Sequence, residues 1–269
     1  MDKYANIGNY RQDADFCVPV FEGVDWVPLN TLGKTRYTNA QMKEVAVLPL
    51  SERKSRIATL YEAVQLFILS GFRGAFDNED VFIGDTLWQK HKSPEQAAAG
   101  SEGCCATDTN WLAFYLRGRY PEMGSFCYAN RDGNGHITTY IQTGGFYYFI
   151  DMMMCRLDSQ SFFSPESGNF QNLVRSEWAG YLYRAENAVD FCRFAMDRFA
   201  AMGRDRPFCF YLRRRPDVTA TGLRLSEDAA VFHVPTCDHP SILLLAKESE
   251  GGGKGAGSIE FVGLPEELR

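Results

Sequence analysis

The chain has 269 residues, 45% hydrophobic and 14% aromatic, which is enough for one sizeable core. Its formal charge of −6 argues against nucleic acid or an anionic membrane as the main partner, because both call for a basic surface. No apolar run reaches the ~18 residues of a membrane span, and the start, MDKYANIGNYRQDADF, lacks an apolar signal region, so a soluble cytoplasmic protein is expected.

Residues 1–50 carry short apolar runs (CVPVF, DWVPL, VAVLPL) broken by Gly, Pro and Asn, and read as extended segments and turns. From 51 the pattern changes. Ile57, Leu60, Tyr61, Val64, Phe67 and Ile68 fall on one helical face, with Ser51 placed to cap the start and Gly71 the end. SPEQ at 93–96 reads as a helix entry, with Ser93 at the cap, Pro94 first in the helix and Gln96 closing a capping box; Gly100 ends it. A further helix is predicted from about Cys105 to Arg117.

FCYAN, HITTYIQ and FYYFID then read as strands, the last two joined by TGG. A two-residue turn at Gly144 and Gly145 would place Thr143 opposite Phe146. That register sets His136 opposite Met153, with Asp151 two residues along on the same face. Residues 185–201 read as a helix ended by Gly203. FCFYLR, TGLRL, AVFHV, SILLLA and SIEFVG read as strands. Helices first, antiparallel strands after and a helix between strand groups make an α+β pattern. The expectation is one domain over 1–269, with a core at about 51–155 and a helix-and-strand extension at about 181–264.

The chemistry centres on cysteine. Cys17, Cys104, Cys105, Cys127, Cys155, Cys192, Cys209 and Cys237 are spread without a disulfide framework, and no CxxC pair occurs. Most are expected to be free, buried thiols. Cys105 stands where the helical pattern begins, and a helix start stabilises a thiolate through its free N–H groups and dipole. Position alone also allows Cys104 and Cys105 to be small residues packed at a tight helix entry. A cysteine nucleophile needs a base and a group to orient it. His136 and Asp151, on adjacent predicted strands, are placed for those tasks.

SPEQAAAGSEGCCATDTNWLAFYLRG followed by GHITTYIQTGGFYYFID resembles the transglutaminase-like superfamily of papain-type cysteine enzymes. Gly103-Cys104-Cys105 matches that family's G-x-C motif, and Leu116-Arg117 its helix end. His136 and Asp151 match its histidine and aspartate, with Tyr147 and Tyr148 shortly before the acid. The resemblance spans residues 93–151 and selects Cys105 over Cys104. Thr138 stands where the family often has an aromatic residue, and a Tyr where a Trp commonly precedes the acid. The resemblance implies a papain-like core of N-terminal helices on an antiparallel sheet. It also implies a Cys105–His136–Asp151 triad that cleaves or transfers an amide, peptide-like bond without cofactor or metal, hydrolysis being favoured over transfer. The Cys105 N–H would be one oxyanion donor, and Trp88 or Gln89 a source of the second.

Competing readings rest on other stretches. HVPTCDH at 233–239 offers His233, Cys237 and His239 as metal ligands, at a spacing that fits no established zinc motif. EGGGKGAGS at 250–258 lacks the Lys-Ser or Lys-Thr pair of a phosphate-binding loop and reads as a hairpin loop. RRR at 213–215 reads as a solvated strand end. A non-enzymatic binding module that keeps the three residues unused is the alternative function.

Overall fold

Two glycines set the register of the central sheet. In the computed structural model, which describes residues 10–13, 16–19, 22–129, 135–150, 152, 181–201, 209–225, 230–235, 240–245 and 258–269, Gly144 and Gly145 both adopt positive φ, 60° and 82°. That is the backbone a two-residue hairpin turn requires. The strands it joins run antiparallel with Thr143 opposite Phe146 and Thr139 opposite Ile150, the register the sequence predicts.

In chain order the strands are β1 (Tyr10–Asp13), β2 (Phe16–Pro19), β3 (Val24–Pro28), β4 (Arg73–Gly74), β5 (Glu79–Ile83), β6 (Thr86–Lys90), β7 (Glu102–Gly103) and β8 (Met123–Ala129). They continue with β9 (Gly135–Thr143), β10 (Phe146–Ile150), β11 (Tyr181–Ala185), β12 (Cys209–Arg213), β13 (Ala220–Leu225), β14 (Ala230–Pro235), β15 (Pro240–Leu245) and β16 (Ser258–Val262). Seven of them form an antiparallel sheet in the order β15-β12-β8-β9-β10-β11-β3, and five form a second sheet in the order β16-β14-β13-β6-β5. The second is antiparallel except where β14 and β16 run parallel. The chain is thus α+β, as its pattern indicates.

The C-terminal strands are shared between the two sheets. β12 and β15 widen the large sheet, while β13, β14 and β16 join β6 and β5. β3 comes from residues before the expected core and closes the far edge of the large sheet.

The helices are α1 (Asn39–Ala46), α2 (Leu50–Arg56), α3 (Leu60–Leu69), α4 (Pro94–Ala99), α5 (Cys105–Leu116) and α6 (Ala188–Ala201). The single helix expected over 51–71 is two. Ile57 is extended, and Thr59 starts a new helix by accepting the Glu62 N–H with its hydroxyl. The apolar spacing persists because both helices pack on the same core. α1 lies in the stretch read as extended; its capping box, Thr38 with Gln41, was there to be found. The Ser93–Gln96 capping box and Pro94 at the start of α4 form as predicted.

Alternation along the strands splits the core. Ile141, Tyr148 and Ile150 face α3 and α5, where Phe67, Trp111 and Tyr115 are buried. Tyr140, Phe149 and Phe126 face α6, and Phe149 stacks on Phe191 with ring centroids 3.8 Å apart. α5 is buried at every residue from Ala106 to Leu116, so it is a core helix with little amphipathic contrast.

One buried charge ties the α2–α3 break to the rest. The Glu62 carboxylate has no exposed surface and accepts from the Arg36 N–H, Nε and Nη2 and from the Ala58 N–H at 2.8–3.1 Å. Burial pushes its pKa up, but the Arg36 fork and the backbone donors outweigh that and hold it below the usual carboxylate value. A depressed carboxylate stabilises the fold above its unfolded pKa and loses that contribution as pH falls through the folded one. Arg36→Ala should therefore cost about 2 kcal/mol at pH 7 in urea unfolding. The gap between mutant and wild type should narrow as pH falls below the ~4.3 of an ordinary Glu carboxyl and toward the lower pKa of Glu62 in the fold.

Candidate active site

The entry to α5 is built by residues outside it. Cys104 occupies the N-cap in extended conformation, but its side chain makes no full capping hydrogen bond. Asp77, in the loop after β4, takes over that function. Its carboxylate accepts the Cys104 N–H at 2.9 Å and the Thr107 hydroxyl at 2.8 Å and 3.0 Å, and pairs with Lys92 Nζ at 2.8 Å. Burial raises the Asp77 pKa, while Lys92, Thr107 and Cys104 more than offset it and keep the carboxyl ionised. A negative group at a helix start is favoured by the dipole, so this fixes the first turn and with it both cysteines.

Gly103 is required by crowding. A Cβ there would run into the Thr107 side chain. Further along, Asn110 donates to the carbonyls of Lys92 and Val218 and accepts the Val218 N–H, each at 2.7 Å. These bonds stitch the middle of α5 to the segments leading into α4 and β13.

A cavity of about 140 Å³ opens at this helix start, between the large sheet and the small one. Cys104, Cys105 and His136 all line it. Gln89 and Thr221 of the small sheet form the opposite wall with His91, just past β6, and Phe76 stands at the rim with 80% of its surface exposed. His136, the second residue of β9, is buried and packs edge-on against Tyr128, with ring centroids 5.1 Å apart. The Ile137 N–H, next along β9, donates to the Cys105 sulfur and favours its charged form. Asp151 lies outside the described residues.

The two sulfurs are half-buried and free, and they share a hydrogen bond. The Cys105 thiol donating to Cys104, helped by the Thr107 and Ala106 N–H groups, pulls Cys104 down to about 7. The same bond, burial and the Cys104 charge push Cys105 well up. Coupled this tightly, the value near 7 belongs to the pair, which sheds one proton around neutrality and keeps the other between its sulfurs.

His91 is also buried at this cavity. Burial pushes its pKa down to about 4, the Arg213 charge adding to the effect and Asp77 opposing it, so the ring is neutral at pH 7. Its Nδ1 lies 2.9 Å from Asn78 Oδ1 and its Nε2 3.0 Å from the Thr221 hydroxyl. Arg213, expected to be solvated, is 2% exposed; only Arg214 and Arg215 of that run reach solvent.

Trp88 packs with Ala220 and Leu268 on the far face of the small sheet, which leaves Gln89 as the cavity-wall side chain of the two. His233 sits between the Thr86 hydroxyl at 3.2 Å and Glu260 at 3.1 Å, while Cys237 and His239 lie outside the described residues. Among the described residues no three ligating side chains are placed to hold a metal ion, and no helix is long and apolar enough to cross a membrane.

Sequence reasoning missed Asp77, Asn78 and His91. Their signal was faint, a loop reading FDNED and a histidine just before a capping box, and only strand pairing brings them to Cys104. No family model, curated protein or solved structure matches the chain. The site is therefore defined by its own geometry: an α+β protein with a neutral-range dithiol and a buried histidine in one cavity.

Two outcomes follow from this geometry. Gly103→Ala should destabilise the protein by about 1–3 kcal/mol through overpacking against Thr107, read as a lower midpoint in thermal or urea unfolding. The rate of iodoacetamide labelling at residues 104–105 should rise through a midpoint near pH 7, below the ~8.5 of an ordinary thiol. A midpoint at or above that ordinary value would refute the shared-proton pair.

Proposed function

We propose that the protein is a cysteine-dependent hydrolase or acyltransferase acting on amide, peptide-like bonds, with Cys105 as nucleophile and His136 as base. The observation that carries this reading is that Cys105, at the first position of a core helix, and His136, on the neighbouring strand, both line one cavity. The resemblance of residues 93–151 to transglutaminase-like enzymes supports it. On that resemblance Asp151 would fix the imidazole tautomer.

The chemistry is acyl transfer. The Cys105 thiolate adds to the substrate carbonyl, its proton being held by His136. The tetrahedral oxyanion is met by the Cys105 N–H at the helix start, with Gln89 across the cavity supplying the second donor. Collapse expels the amine, which takes the proton from His136 and leaves a thioester on Cys105. Water activated by His136 then releases the acid and regenerates the thiol. An amine in place of water gives transfer instead.

Cys105→Ala should lower turnover of any responsive acyl-peptide or glutamine-amide substrate by several orders of magnitude, as expected for loss of a nucleophile. His136→Ala should lower it comparably, and Cys104→Ala should leave it largely intact. Thioester accumulation on Cys105, seen by intact mass with an activated ester, is the direct readout. Full activity in Cys105→Ala would end the assignment. Identical, inert behaviour of wild type and both other variants on every probe would favour the non-enzymatic module.

A further inference from the structure

The cavity beside the thiols has a wall of uncharged groups. Among the described residues, none of the side chains that line it carries a carboxylate, an ammonium or a guanidinium. Asp77 and Lys92, which brace the helix entry, pair with each other at 2.8 Å, and His233 on the wall is matched by Glu260, 3.1 Å from its Nε2. The polar side chains are engaged with one another. The Thr221 hydroxyl meets His91 Nε2 at 3.0 Å, His91 Nδ1 meets Asn78 Oδ1 at 2.9 Å, and Asn78 Nδ2 meets Gln89 Oε1 at 3.5 Å. Charge on the thiol pair and on His136 comes and goes with the reaction. A permanently charged substrate group would leave water and find no lasting partner there.

Apolar surface gathers at the mouth instead. Among the described residues two phenylalanines are left exposed, Phe76 at 80% and Phe82 at 75%. Phe76 lines the cavity. Phe82 on β5 stands opposite Leu87 on β6, and Leu87 opposite Leu223 on β13. Directly opposed residues share one face of a sheet, so the three make a row across the strands. Leu87 and Leu223 are half-buried and line the cavity, so the row leads from the β5 edge into it. Trp88 and Ala220 belong to the other face. A single exposed apolar side chain is ordinary, but several around a concave site mark where a ligand lies.

We infer that Phe76, Phe82, Leu87 and Leu223 form a specificity subsite, which seats an aromatic or branched aliphatic side chain next to the amide that is attacked. The inference rests on the acyl-transfer reading and narrows its substrates to peptide-like amides with a neutral, apolar neighbour. Size agrees with this. The cavity's volume of about 140 Å³ is close to the ~150 Å³ of an apolar cavity that takes up benzene. It has room for one ring or branched alkyl group, and the rest of the substrate lies over Phe76 and Phe82 at the rim.

The test uses the full chain and iodoacetamides that differ only in the group on nitrogen: hydrogen, benzyl, a carboxymethyl anion or a trimethylammonioethyl cation. The labelling rate at residues 104–105, read by peptide mass spectrometry, is divided by the rate of the same reagent with glutathione. The benzyl reagent should exceed the unsubstituted one by about tenfold or more, the scale of discrimination in a fitted apolar pocket. Both charged reagents should fall below it. Phe76→Ala should cut the benzyl-to-unsubstituted ratio by about fourfold or more, the effect of burying one methylene, and Phe82→Ala by less. Both side chains are exposed, so the fold should tolerate their loss. Phe76→Lys should lift the anionic reagent above the cationic one. A benzyl reagent no faster than the unsubstituted one, or slower than either charged one, overturns the inference. So does a ratio unchanged in both Phe76→Ala and Phe82→Ala. Acyl-peptides with Phe, Leu, Lys or Asp beside the scissile amide separate this inference from the reading beneath it. Turnover of the Lys or Asp peptide ahead of the other two overturns the subsite and keeps acyl transfer. Turnover of none, with the reagents ranked as expected, removes acyl transfer and leaves the apolar subsite standing.

Discussion

The site depends on one carboxylate. Asp77 caps a helix to which it does not belong, taking the N–H of Cys104 and the hydroxyl of Thr107. Cysteine is a poor cap, and a Ser or Asp in its place would satisfy the helix start but remove the thiol. Moving the cap to a neighbouring loop frees position 104 for sulfur. Lys92 then neutralises much of the added charge, so that the acid does not force the nearby thiols to stay protonated.

This arrangement accounts for the layout around it. Asp77 and Asn78 are adjacent in sequence, one serving the backbone of Cys104 and the other its sulfur. Both sit in the loop that β5 and β4 anchor, and β4 itself pairs with β7, the two residues just before Cys104. The helix start and the loop that caps it are thus tied together by backbone as well as side chains. Asn110 repeats the device two turns later, where its amide bridges the approaches to α4 and β13.

Much of the large sheet and of the thiol helix was legible in the sequence. The Gly144-Gly145 turn fixed the β9–β10 register, and SPEQ fixed the start of α4. Both are local signals with a single backbone solution. The break between α2 and α3 was not legible, because the apolar spacing carries on across it while the cause, Arg36 reaching Glu62, lies 26 residues away in the chain. The sorting of the C-terminal strands was likewise hidden: FCFYLR and TGLRL look alike, yet one joins β8 and the other β6. At the site, Cys105 and His136 announced themselves as types of residue in an order. Asn78 and His91 did not, since nothing in an isolated Asn or His says that a strand pairing will carry it to a sulfur.

The small sheet gives the cavity a wall that is made last. Cys104 and Cys105 leave the ribosome more than a hundred residues before β13 and β14, whose Thr221 and Val234 help enclose them. Until those strands pair with β6, the thiols lie open on one side, and the Thr221 partner of His91 is missing. The nascent chain therefore carries an incomplete cavity, and the cysteine pair acquires its full surroundings only when the C-terminal third has been synthesised. Completion of the candidate site is in this sense timed by the order of translation, with the second sheet as its closing piece.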